Sequence, residues 1–164
     1  MTLKVFSAEY LDDLALQAVA SPRRRQYRNI HTDYKDRCQR LFNAIEPDSY
    51  LRPHCHGQVQ GTETMIAVRG LMALVAFDDS GEIVQIERFG AERNLVDRNI
   101  ALGVETPPGT WHTVVSLESG SVLIEIKAGP FDPSAPKFPA SWAPEEGTPD
   151  GAAYLGKLVT AISK

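Results

Sequence analysis

The sequence predicts a mainly β, single-domain fold, a sandwich or barrel with a helix at each end. Three observations predict it. Between Cys38 and Lys127 the chain is a succession of short runs: CQRLFNAI, SYLRPHCH, ETMIAVRG, LMALVAF, EIVQIERF, IALGVE, WHTVVSL and SVLIEIK. Several are rich in Val, Ile, Leu and Thr, with turn residues between them, as in closely spaced β-strands. Before them, SAEYLDDLALQAVA carries Tyr10, Leu11, Leu14, Ala18 and Val19 at helical spacing. After them, GAAYLGKLVTAI sets Tyr154, Leu155, Leu158 and Ile162 on one side of a helix.

The elements follow in order. Ser7 is placed to cap the first helix and Ser21-Pro22 to stop it. A polar arm then runs to residue 36, with Arg23, Arg24, Arg25, Arg28, Asn29 and His31. Residues 37–128 are read as the barrel, with hairpin loops at Asp78-Asp79-Ser80-Gly81 and at Glu118-Ser119-Gly120. From Gly129 the prolines exclude regular structure and predict an extended strap over the barrel, anchored by Phe131 and Trp142. Asp150 is positioned to cap the last helix.

A chain of 164 residues fits one domain, and 43% hydrophobic with 23% charged residues is ordinary globular composition. With 17 Lys+Arg against 21 Asp+Glu the net charge is −4, which gives no electrostatic reason to seek nucleic acid. No apolar run approaches a membrane span, and MTLKVFSAEY lacks an apolar core long enough for a signal peptide. The expectation is a cytoplasmic protein with no nucleic-acid or membrane partner. Cys38 and Cys55 are read as buried thiols of a reducing compartment.

Three of the four histidines fall in two short motifs. In Arg52-Pro53-His54-Cys55-His56, strand alternation puts His54 and His56 on one face, with Tyr50 and Arg52, and turns Cys55 away. Glu63 opens the next run. In Pro107-Pro108-Gly109-Thr110-Trp111-His112, a Pro-Gly turn delivers His112 at the start of a distant strand. Three imidazoles and a carboxylate held inward among apolar strands carry a desolvation cost of several kcal/mol that a bound ion removes. The set suits one divalent transition metal: Fe, Mn, Ni, Co or Zn.

On these residues the chain resembles the cupin superfamily, whose two motifs place a His-X-His pair, a glutamate and a glycine before a Pro-X-Gly turn and a third histidine. His54, His56, Glu63 and Gly70 match the first motif, and Pro107, Gly109 and His112 the second. The loop from His56 to Glu63 is longer than the pattern, neither opening glycine is in place, and Ser116 stands where the family has Asn. The resemblance implies a single cupin-type β-barrel (double-stranded β-helix or jelly roll), with His54, His56, Glu63 and His112 as metal ligands. More narrowly the chain looks like the WbuC family of cupin-fold metalloproteins. That likeness rests on Ser21-Pro22-Arg23-Arg24-Arg25, Asn29-Ile30-His31, QRLFNAIEPDSYLRPHCH, PPGTWH, IEIKAGPFDP and WAPEEG. It implies a link to surface-polysaccharide metabolism.

The functional expectation is a metalloprotein acting on a small polar molecule, a sugar or sugar-derived acid, by Lewis-acid isomerase or epimerase chemistry. The alternatives are a non-catalytic binding or sensing module, a dioxygenase if iron-loaded, and a metal that only braces the fold. Candidate substrate contacts are Tyr50, Arg52, Asn29, His31 and Arg23; His31, Glu125 and a metal-bound hydroxide are each candidate bases. Alternation puts Glu125 opposite Ile124 and Ile126, as either a pocket acid or an outward charge, with the outward reading favoured. A homodimer is expected by analogy with small cupins.

Overall fold

The computed structural model describes residues 3–56, 61–132 and 137–164. Residues 57–60 of the His56–Glu63 loop and 133–136 of the strap lie outside them. Helix α1 spans Ala8–Ala20, capped by Ser7, whose side chain accepts from the Tyr10 N–H; Ser21 closes its C-terminus. Ten strands follow among the described residues: β1 Arg25–Asn29, β2 Cys38–Ile45, β3 His54–Cys55, β4 Glu63–Arg69, β5 Leu71–Phe77, β6 Ile83–Gly90, β7 Gly103–Thr106, β8 Trp111–Ser116, β9 Ser121–Ala128 and β10 Phe138–Pro139. Helix α2 spans Pro149–Ile162.

The strands form two five-stranded antiparallel sheets, ordered β1-β2-β9-β4-β7 and β10-β3-β8-β5-β6. They face each other across a core of Ile45, Met65, Ala67 and Leu123 from the first and Met72, Leu74, Phe89 and Val114 from the second. This is the predicted mainly β architecture with two helices, though the sheets stay an open sandwich and do not close into one barrel. β1 and β10 join the sheet edges from outside 37–128: the arm, expected outside the barrel, pairs with β2 from Arg25↔Ile45 to Asn29↔Leu41.

The two helices cover opposite outer faces. Leu14 and Ala18 of α1 pack on Phe42, Ala44 and Val122 of the first sheet. Leu155, Leu158 and Ile162 of α2 pack on Ala73, Val75, Phe77 and Val115 of the second. Strand β5 is therefore buried on both sides, which explains its unbroken apolar run LMALVAF. Among the described residues no helix is long and apolar enough to cross a membrane.

Three local expectations are corrected. Asp78–Gly81 does close the β5–β6 hairpin, with Gly81 at φ +92°. Glu118–Gly120 instead carries the chain from one sheet to the other, since β8 and β9 do not pair. The buried carboxylate of Glu46 fixes that corner by accepting from Ser119 Oγ (2.7 Å) and the Gly120 N–H (2.9 Å). The cap of α2 is Thr148, whose hydroxyl accepts from the Gly151 N–H, while Asp150 lies within the first turn because Pro149 already begins the helix. Neither cysteine is buried: Cys38 is exposed and Cys55 half-buried. Thr148→Ala is expected to lower stability by about 1 kcal/mol, and Asp150→Asn by less than about 0.5 kcal/mol. Paired denaturant titrations check the order; the reverse order would restore Asp150 as the cap.

Candidate metal centre

Alternation within paired strands sorts the site. On β4, Glu63, Met65 and Ala67 point between the sheets, and on β8, His112 and Val114 do so. His54 of β3 pairs directly with His112 of β8. The apolar core thus gives way, at one end of the sandwich, to a polar cluster. His54, His56 and His112 present ligand atoms that all lie within 4.8 Å of one another. Their ring centroids are 4.7 to 5.9 Å apart.

Two of the rings are oriented by backbone. His54 Nδ1 is 3.1 Å from the Arg52 carbonyl and His112 Nδ1 is 2.9 Å from the Thr110 carbonyl. A carbonyl can only accept, so each Nδ1 donates and each Nε2 keeps its lone pair, the tautomer a metal requires. Burial, with added repulsion from Lys137 and His112, holds the His54 pKa well below its usual value and keeps the ring neutral.

Glu63 Oε2 lies 3.2 Å from His112 Nε2 and 3.5 Å from His56 Nε2. Two donors sharing one ion at about 2.1 Å sit roughly 3.0–3.4 Å apart, so these separations fit a common ion. Burial works to raise the Glu63 pKa, but the adjacent His112 and Glu125 side chains and the charge of Lys127 hold it well below the usual carboxylate range. Three imidazoles and a carboxylate are a donor set suited to a first-row divalent cation.

Around this cluster a cavity of about 370 Å³ opens between the sheets. Glu125, read from sequence as outward, points into it. Its carboxylate takes a 2.8 Å hydrogen bond from Lys127 Nζ, which also donates to Glu63 Oε1 at 3.2 Å. Burial, then the charge of Glu63, pushes the Glu125 pKa up to about 7. Leu123, Glu125 and Lys127 share the inner face of β9; Val122 and Ile124 pack outward beneath α1.

Of the five expected substrate contacts, Arg23 lines the cavity and the other four do not. Residues 49–53 are not a strand, so the alternation that aligned Tyr50 and Arg52 with His54 does not apply. Tyr50 is buried under α2 and donates to the Pro144 carbonyl; Arg52 donates to the Ala140 carbonyl at 2.8 Å. Asn29 is exposed at the end of β1. His31, which follows β1, is buried against β2, accepting from the Arg40 N–H at Nδ1, and does not line this cavity.

Sequence reading placed Arg25 in the polar arm without a role and passed over Lys127 and Lys137. The signal for Arg25 was its place two residues before Tyr27 on a strand whose inner face continues Ile45 and Asn43. Arg25 is buried, lines the cavity and pairs with Glu146 at 2.5 Å, which ties β1 to the segment before α2. Arg25→Ala is expected to lower stability by about 1–3 kcal/mol, since it strands a half-buried carboxylate. Burial acts to raise the Glu146 pKa, and the hydrogen bond and charge of Arg25 outweigh it, giving a net lowering. A depressed carboxyl pKa supplies stability above its unfolded value that is lost as pH falls through the folded one. Glu146→Gln should therefore flatten the acid limb of the stability curve below the usual carboxylate range; an unchanged limb in acid titrations counts against the pair.

Residues 6–89, just over half of the chain, match the model of a family described as Domain of unknown function (DUF6016). Comparison with curated proteins gives no match. Among solved structures the fold is similar to protein SO0799 from Shewanella oneidensis, with TM-score 0.54 and 10% identity over 66% of this chain and 70% of that one. It is also similar to a mutant of oxalate decarboxylase OxdC from Bacillus subtilis, with TM-score 0.50 and 15% identity over 69% of this chain and 27% of that one. The chain thus spans about a quarter of the decarboxylase. KdgF from Halomonas sp. aligns at TM-score 0.49 and 15% identity, over 66% of this chain and 82% of that one. The likeness is one of fold, and the fold is of the cupin type.

Proposed function

We propose that this chain, which belongs to the DUF6016 family, is a metal-dependent enzyme acting on a small polar molecule, with His54, His56, His112 and Glu63 holding one divalent transition metal. The observation that carries the reading is the convergence of three histidines, two with Nδ1 committed to backbone carbonyls, on one buried carboxylate beside an open cavity. A structural ion would need no such cavity. When bound, the ion would supply Lewis acidity toward a substrate oxygen, which suits isomerase or epimerase chemistry.

The chain's own groups supply the rest. Glu125 is the cavity carboxylate left outside the ligand set, and it is positioned to take or return a proton at Oε1, with Lys127 holding that oxygen at 2.8 Å. Lys127 also fixes Oε1 of Glu63, leaving Oε2 toward the histidines. The apolar floor of Met65, Val114 and Leu123 limits water beneath the site. Sugars or sugar-derived acids are the substrate class suggested by the narrower WbuC likeness.

The test is reconstitution of the full chain with Fe(II), Mn(II), Co(II), Ni(II) and Zn(II), elemental analysis, and incubation of the loaded protein with a metabolite pool. One tightly held equivalent and metal-dependent conversion of a pool component are expected. Failure of every ion to bind would reject the metal reading; tight binding of an unaltered metabolite would make the chain a binding module.

A further inference from the structure

The walls of the cavity differ in charge. On the histidine side, the Lys127 ammonium lies between Glu63 and Glu125 and is neutralised by them. On the side built by the arm and the strap, Arg23, Arg25 and Lys137 line the same space. Among the described residues the carboxylate paired there is Glu146, which serves Arg25 at 2.5 Å and Arg23 at 3.5 Å and also accepts the Arg52 N–H. Lys137 has no hydrogen bond or ion pair among the described residues, yet it is close enough to His54 for its charge to be felt there. Three cations against one shared anion leave this wall positive, in a chain whose net charge is −4. Low-dielectric walls focus such a field on the cavity interior.

We infer that the cavity takes a small anionic ligand, a carboxylate or phosphate ester, with its anionic group between Arg23 and Lys137 and its other end toward His54, His56 and His112. This rests on the reading of the cavity as a ligand site and adds the class of ligand. Arg23 is 61% exposed at its side chain and Lys137 is an exposed residue, so both can reorient onto a ligand; Arg25, buried behind them and held by Glu146, supplies fixed positive potential. The volume, about 370 Å³, lies near the lower end for small-molecule sites and suits a molecule of monosaccharide size.

The probes are gluconate, glucose 6-phosphate and sorbitol, six-carbon polyhydroxy compounds that differ chiefly in the anionic group. Calorimetric titration of the full chain, Mn(II)-loaded and metal-free, is expected to show at least one anion binding about tenfold or more tighter than sorbitol. That preference should shrink as salt rises from about 50 to about 300 mM. Preference for gluconate identifies a carboxylate ligand and preference for the ester a phosphate; either supports the inference. Arg23→Met and Lys137→Met should each weaken anion binding roughly fivefold or more while leaving metal content and melting temperature unchanged. Sorbitol binding as well as the anions, no anion binding at millimolar concentration, or unchanged affinity in the Arg23→Met/Lys137→Met double variant would overturn it. Anion preference without any bound metal would leave this inference standing and remove the metal reading; metal without anion preference would do the converse.

Discussion

His54→Ala combined with His56→Ala is expected to abolish stoichiometric metal binding while the fold survives. The pair supplies two of three converging imidazoles from β3 and the residue after it, and the double variant leaves only His112 and Glu63. Loss of groups that merely support ligands weakens metal affinity by about 10–100-fold, so loss of two of the proposed direct ligands should exceed ~1,000-fold. The core lies elsewhere, on Ile45, Met65, Met72, Leu74, Phe89 and Val114, and does not depend on either ring. Elemental analysis after dialysis, beside circular dichroism of the metal-free proteins, checks both halves. Glu63→Gln tests the proposed fourth ligand separately, and a loss of about 10–100-fold is expected there because the amide keeps one oxygen donor. Full retention of metal in the double histidine variant would refute the centre; full retention in Glu63→Gln would remove only the carboxylate.

How legible the centre was depends on what period-2 patterning can report. His54, His56 and His112 were found because a His-X-His pair and a Pro-Gly turn are local features, and the pairing His54↔His112 then brings distant strands together. Glu125 was misjudged for a tertiary reason. In SVLIEIK either face of the strand is apolar at some positions, because the sandwich core covers Leu123 and α1 lies over Val122 and Ile124. Alternation alone cannot say which face is the lumen when both are covered. Tyr50 and Arg52 lie elsewhere for a different reason: the rule was applied to residues 49–53, where the backbone is held by hydrogen bonds to Glu146, Thr113 and Ala140 and is not extended in a ladder. Arg25 was hidden within a run of arginines, and only the register Arg25↔Ile45 shows that it shares the inner face. The helices were the easiest part, since their apolar spacing and Ser7 are local; the cap of α2 shifted by two residues because Pro149 can itself open a helix.

Gly70→Ala is expected to destabilise the protein by about 3–5 kcal/mol, more than any cap or surface pair considered above. Gly70 joins β4 to β5, where the chain passes from one sheet to the other, and it does so at φ +76°. Its carbonyl accepts from the Ala91 N–H at 3.0 Å and Asn94 Nδ2 at 2.9 Å, so the peptide cannot swing away without breaking both bonds. A side-chain carbon here would approach Ser121 Cα to 2.8 Å, a backbone atom on fully buried Ser121. Gly120 separates the two costs, because it has φ +72° with nothing within 4 Å of an added Cβ. Gly120→Ala should therefore lose only the conformational part, about 1 kcal/mol. Thermal unfolding of the two variants side by side measures the difference; for a chain of this size the Gly70 variant should melt roughly 10 °C or more below the wild type. Adding Ser121→Gly removes the clash with the hydroxyl and Cβ but not with Cα, so it should rescue only part of the loss. Equal stability of Gly70→Ala and Gly120→Ala would show that the crossover has room to move, and would undo the close approach of the two sheets at this point.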